Sequence, residues 1–269
     1  MKTKLLSYKS SQIGYYCFGD GPRVVVCFHG YAEDATMYGF LEKYVGEEYC
    51  FVAIDLPFHG RTVWNEGLTF SDIDLKEIVS GILQENRFGG ELTLMGFSLG
   101  GRMALSLYQA QPEMAKKLIL LAPDGLKVNF WYWLSTRTWI GNKLFAFTMK
   151  RPGWFFGFLK LMNKLGMVNA SVFKFVNFYI GNKEARLLLY QRWTSLRKLK
   201  PSLARIKSLV REYKTPVRLV YGKHDRIILP VRGEQFRKGI EEYCLLRVIE
   251  SGHQVLHEKH VEEIVGVLK

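Results

Sequence analysis

The chain has 269 residues, 48% of them hydrophobic and 23% charged, and carries a formal net charge of +13. Those are the proportions of an ordinary globular chain, which excludes disordered, collagen-like and coiled-coil classes. The length leaves room for one large domain, or one domain with an insertion, and for a core that needs no metal or disulfide staples.

The N-terminus, MKTKLLSYKSSQIGYY, starts basic but has no apolar run of secretory-signal length, and no run of about eighteen apolar residues follows anywhere. A cytoplasmic location is expected. Leu5–Phe18, followed by Gly19-Asp20-Gly21-Pro22, predicts an antiparallel hairpin at one edge of a sheet. Arg23–Phe28, Tyr49–Ile54, Glu91–Met95 and Lys117–Leu121 are short, continuous apolar runs, as parallel strands covered on both faces require. Between them, Ser71–Arg87 opens on a capping serine with early acids, and Ser98–Gln109 has apolar residues at helical spacing. Pro216–Tyr221 and Leu245–Ile249 resume the strand pattern, separated by a helix near Val231–Ile240 and followed by an amphipathic helix from about Glu258 to Leu268. Alternation of this kind predicts an α/β fold with an open, mostly parallel sheet. Cys17, Cys27, Cys50 and Cys244 form no CxxC pair and read as small hydrophobes in a reduced compartment.

The charge is not spread evenly. From Leu126 to Lys214 there are 18 Lys and Arg against two acids, Glu184 and Glu212, while the remainder has 20 basic and 23 acidic residues. The same stretch holds 18 of the 38 aromatics, including Trp131, Trp133, Trp139, Trp154 and Trp193. A nearly neutral body, residues 1–125 and 215–269, thus carries a basic, aromatic-rich insertion at 126–214.

Gly96-Phe97-Ser98-Leu99-Gly100 follows an apolar strand and opens a helix. A serine on such a turn is pushed out at the carboxyl end of the sheet, and the helix N-terminus beneath it offers N–H groups to a developing oxyanion. A serine hydroxyl needs an imidazole base, and that base needs a carboxylate to fix its tautomer. Asp225 lies just past the Pro216–Tyr221 strand and His253 just past Leu245–Ile249, on the same rim as Ser98 and in the chain order Ser, Asp, His. His29-Gly30-Tyr31, at the end of the Arg23–Phe28 strand, places a further backbone N–H where it would complete an oxyanion hole with that of Leu99.

These pieces, with Asp55-Leu56-Pro57-Phe58-His59-Gly60-Arg61-Thr62 and Gly222–Pro230, resemble the α/β-hydrolase superfamily, of the esterase and lipase-like kind with a helical cap. The resemblance runs from about residue 12 to the C-terminus but leaves out 126–214, which sits where family members insert a cap after the sixth strand. It implies Ser98 as nucleophile, His253 as base, Asp225 as orienting acid, and the Tyr31 and Leu99 backbone N–H groups as oxyanion donors. It implies no cofactor. His260 stands where the family often has a proline.

Alternatives stay open at this point. Asp124, after the Lys117–Leu121 strand, rivals Asp225, and His257 and His260 rival His253. His29, Asp55 and His59 read as loop-fixing, and His224 as solvated. No residues have metal-ligand spacing, and no phosphate-binding glycine loop occurs. The reaction that fits is hydrolysis of a carboxylic ester, with a thioester or amide as alternatives, carrying an apolar acyl or alcohol portion. Gly96–Arg102 is also similar to the elbow of the menaquinone-pathway lyase, so that lyase or a C–C bond hydrolase is the alternative, and a non-catalytic binding protein on the same fold is a third reading. The basic segment reads either as a cap with a solvated charged face or as a surface for peripheral contact with anionic membrane. No nucleic-acid partner is expected, because no recognised motif accompanies the charge.

Overall fold

The computed structural model describes residues 2–90, 92–127, 130–165 and 180–269. Strands β1 (Lys2–Tyr8) and β2 (Ser11–Phe18) form the hairpin, turning at Lys9, which adopts φ +52°. The apolar runs that follow become β3 (Arg23–Phe28), β4 (Tyr49–Ile54), β5 (Leu92–Phe97), β6 (Ala115–Leu121), β7 (Val217–Gly222) and β8 (Cys244–Ile249). All eight lie in one sheet, ordered β1-β2-β4-β3-β5-β6-β7-β8. β2 pairs antiparallel with β4, and every pair from β4 to β8 is parallel. Every residue of β4 is buried, as an interior strand covered on both faces demands.

The sequence reading of an α/β fold with a mostly parallel sheet therefore holds, with strand ends shifted by a residue or two. Glu91, at the start of one expected run, lies outside the described residues. The four cysteines are free thiols, three of them buried and Cys17 half-buried.

A short helix, α1 (Glu42–Val45), precedes β4. Ser71 caps α2 (Asp72–Glu85), accepting from the Asp74 N–H while the Asp74 carboxylate accepts from the Ser71 N–H. α3 (Leu99–Ala110) follows β5 directly and is buried along most of its length. The basic stretch supplies α4 (Phe130–Arg137), α5 (Trp139–Lys150), α6 (Gly153–Lys164), α7 (Lys183–Ser195) and α8 (Leu203–Tyr213). Residues 128–129 and 166–179 of it lie outside the described residues. α9 (Val231–Arg237) and α10 (Val261–Leu268) complete the chain, α10 entered through a 3-10 turn at Glu258–His260.

Two compact units divide the chain. One comprises Met1–Glu66, Phe70–Lys127 and Lys198–Lys269, and the other Gly67–Thr69 and Val128–Arg197. The first contains the whole sheet. α8 belongs to it as well, although its composition is that of the basic stretch. Its Ile206, Leu209 and Val210, at helical spacing, are buried, and α8 packs on α3. In the second unit Tyr132 and Phe145 pack on Trp193, with ring centroids 5.4 and 5.9 Å apart, and Phe145 also meets Tyr190 at 5.3 Å.

Asp74 ties the hairpin to α2. Its carboxylate accepts from the Tyr8 hydroxyl at 2.7 Å and the Lys9 ammonium at 2.7 Å. Burial pushes its pKa up, but the hydrogen bonds from Lys9, Ser71 and Tyr8 outweigh that and hold it at about 2. The folded value lies below the unfolded one of about 3.9, so the stabilisation is complete above that pH and disappears as the pH falls toward 2. With Lys9 half-exposed, screening leaves about 1–2 kcal/mol. Asp74→Asn is expected to lose that amount in urea denaturation at pH 7, and its deficit against the wild type is expected to shrink markedly by about pH 2.5.

Candidate active site

β5 ends at Phe97 and α3 starts at Leu99, so a single residue, Ser98, makes the whole turn between strand and helix. It does so at φ +49° and ψ −115°, a conformation that costs a residue with a side chain roughly 1–3 kcal/mol. The neighbours permit it. A Cβ on Gly100 would lie 1.8 Å from the Phe28 carbonyl oxygen, and one on Gly96 would lie 2.3 Å from the Gly100 oxygen. Helix and strands approach so closely that only glycine fits. The turn is pinned by backbone bonds: the Ser98 N–H donates to Leu121 at 2.9 Å, and the Ser98 carbonyl accepts from Gly101 at 2.9 Å and Asp124 at 2.7 Å.

The loops after β7 and β8 carry Asp225 and His253 to this turn. His253 Nε2 lies 2.9 Å from Ser98 Oγ and Nδ1 lies 2.8 Å from Asp225 Oδ2. The carboxylate can only accept, so Nδ1–H donates to it, which leaves Nε2 as the acceptor for the Ser98 hydroxyl. Asp225 is buried, and its other oxygen accepts from the Ile227 and Ile228 N–H groups at 2.7 and 2.9 Å. Those bonds fix the carboxylate's orientation. The Phe97 ring packs against the His253 imidazole with centroids 5.4 Å apart.

The rival residues have other partners. Asp124 pairs with the guanidinium of buried Arg102, and its second oxygen accepts from the Gly125 N–H at 2.7 Å. His260 is buried against the Ser251 hydroxyl at 2.9 Å, and burial lowers its pKa. His257 accepts from the Lys259 N–H, capping the 3-10 turn. His224 is exposed beside Glu250.

Leu99 is the first residue of α3, so its N–H has no carbonyl within its own helix to reach. Tyr31 lies on the loop leaving β3, the strand paired with β5. That loop is braced from below. His29 is fully buried, with Nδ1–H donating to the Gly30 carbonyl at 2.7 Å and Nε2 accepting from the Leu56 N–H at 3.0 Å. Asp55 accepts from the Ala35 and Arg61 N–H groups, both at 2.8 Å, and burial raises its pKa. His59 Nδ1 meets the Pro57 carbonyl at 2.9 Å.

Glu33 escaped the sequence reading. Its carboxyl is drawn upward in pKa by burial and accepts from the Gln254 side chain, the residue after His253, at 3.1 Å. An acid two positions past Tyr31 was the available signal, but nothing in the order of residues says that it turns toward the loop after β8. Among the described residues no group of three His, Cys, Asp or Glu could hold a metal ion.

A buried acid, an imidazole and a serine in series can activate the serine oxygen as a nucleophile, beside a helix N-terminus suited to negative charge. The family model described as serine aminopeptidase, S33, matches residues 20–260. The uncharacterized hydrolase YugF of Bacillus subtilis is 20% identical over 89% of this chain and 86% of its own length. An esterase and the lipase LipV of Mycobacterium tuberculosis are each 32% identical over 40% of this chain, and the match spans only 36% and 42% of their lengths. Among solved structures, a thermophilic esterase from Thermogutta terrifontis superposes with a TM-score of 0.70 at 17% identity, covering 100% of this chain and 98% of that one.

The Arg102–Asp124 pair lies largely out of water, and removing one partner of such a pair costs about 3 kcal/mol. Asp124→Asn is therefore expected to lower the urea midpoint clearly, and a midpoint within error of the wild type would refute the pair's contribution to stability.

Proposed function

Because the chain belongs to the serine aminopeptidase family of α/β-hydrolases, we propose that it is a carboxylic ester hydrolase working through Ser98, His253 and Asp225. The imidazole that bridges Ser98 Oγ at 2.9 Å and Asp225 at 2.8 Å carries this reading. Ester rather than amide chemistry is supported by the esterase and lipase names of its relatives.

In this mechanism Ser98 Oγ attacks the carbonyl carbon as His253 Nε2 takes its proton. Negative charge moves onto the carbonyl oxygen, where the Leu99 and Tyr31 N–H groups are the proposed donors. The imidazolium is steadied by buried Asp225 and gives its proton to the leaving alcohol. Water, deprotonated by the same imidazole, then attacks the acyl-enzyme, and the acid departs as the serine recovers its proton. No step calls for a cofactor. The substrate is proposed to be a small ester, or a thioester, with an apolar portion. Peripheral contact of the basic aromatic stretch with an anionic membrane belongs to the same reading.

Hydrolysis of p-nitrophenyl esters of graded chain length, beside labelling by a fluorophosphonate, tests it. Ser98→Ala is expected to lose both turnover and label. Asp225→Asn is expected to keep the fold and lower kcat by about 10³–10⁴. No turnover together with no labelling of the wild type would overturn the proposal.

A further inference from the structure

The second unit turns an apolar face outward. On α5 the exposed residues Ile140, Leu144 and Phe147 recur at i, i+4 and i+7, and on α6 Trp154, Phe158, Leu161 and Leu165 continue the rhythm to just past the helix end. These side chains are between 42% and 73% exposed. The opposite side of each helix does the packing: Phe145 and Met149 of α5 are turned inward, Phe145 onto α7, and Leu159 of α6 is buried. α5 and α6 contact one another, so the two exposed stripes are neighbours. Free-standing proteins rarely leave so many large apolar side chains in water without a partner for them.

Charge identifies the partner. Lys143 and Lys150 lie about 70–90° round α5 from the centre of its stripe and Lys164 about 90° round α6 from its own, with Lys160 further round at about 130°. All four are exposed. From Leu126 through Lys183 the sequence has nine Lys and Arg and no Asp or Glu. Lys143 lies over the Trp139 ring, 3.8 Å from its centroid, an aromatic–cation pair with an apolar body and a charged tip. Apolar stripes flanked by lysines, with no acid to repel phosphate, match the boundary between acyl chains and headgroups. They do not match a second copy of this chain, whose corresponding face would carry the same positive charge.

We propose that α5 and α6 are the part of this protein that docks on an anionic lipid surface, their exposed stripes entering the acyl boundary and Lys143, Lys150 and Lys164 meeting the headgroup phosphates. This deepens the membrane contact of the functional reading and is independent of the triad. Each cation near such a surface contributes roughly fivefold in partitioning, so the docking is strongly salt-dependent.

The experiment is co-sedimentation with vesicles of phosphatidylcholine alone and with about 30% phosphatidylglycerol, at ionic strengths of about 0.02 and 0.5 M. The expected result is binding to the anionic vesicles at low salt, at least tenfold weaker at high salt and on neutral vesicles. Lys150→Glu/Lys164→Glu and Phe158→Asp/Leu161→Asp, each first shown folded by circular dichroism, are each expected to weaken it at least tenfold. Ser98→Ala is expected to bind as the wild type does, which separates docking from catalysis, while turnover of a water-soluble short ester reports the triad by itself. No co-sedimentation at low salt, or binding that neither double variant weakens, would overturn the proposal. So would a dimer seen by light scattering and dissolved by Phe158→Asp/Leu161→Asp, which would assign the face to a second copy.

Discussion

A strand that stops at Phe97 and a helix that starts at Leu99 leave one residue to reverse the chain, and the rest of the site depends on that constraint. Ser98 holds a positive φ there because Gly96 and Gly100 let β5, α3 and the end of β3 come within contact of one another. The backbone bonds from Leu121 and Asp124 then tie the turn to β6 and to the segment after it. With the backbone of the turn fixed in this way, the Ser98 hydroxyl is held where the His253 imidazole meets it at hydrogen-bond distance. Preorganisation of this kind keeps the cost of orientation out of the reaction step.

The parallel sheet supplies the remaining partners through its direction. β5, β7 and β8 all run the same way, so the residues that follow them emerge at one edge. Asp225 and His253 are separated by 28 residues in the chain, and His253 and Ser98 by 155, yet each pair meets within 3 Å. The support lies one layer further down, in His29 beneath the loop after β3 and in Asp55 gathering two N–H groups. Arg102 and Asp124 show how a charged pair next to the site can be spent on architecture. Asp124 has the position of a triad acid in the chain, but its two oxygens are engaged by Arg102 and Gly125.

The second unit follows a different logic. Its small aromatic core, built round Trp193, holds helices whose other sides are apolar and exposed. Composition marked this stretch but placed its end at Lys214, whereas the compact unit ends at Arg197. α8 explains the difference. Its lysines and arginines colour the composition from the solvent side, while Ile206, Leu209 and Val210 pack it onto α3. Net charge reports which surface faces water and says nothing about which core the other surface joins.

The order of residues was enough to read the strands, the capping serine of α2 and the turn at Ser98. Each of these rests on local chemistry: hydrophobic period, a cap three residues from its partner, glycines where side chains would clash. Other features depended on the assembled chain. The meeting of His253 with Asp225 and of Arg102 with Asp124, the burial of His260 against Ser251, the approach of Glu33 to Gln254 and the assignment of α8 to the sheet unit are contacts between segments distant in sequence or on separate turns. A carboxylate's neighbours are set by where strands and loops finally lie, and no periodicity along the chain encodes that distance. Sequence determined which groups the protein brings to the edge of its sheet, and tertiary structure decided which of them touch.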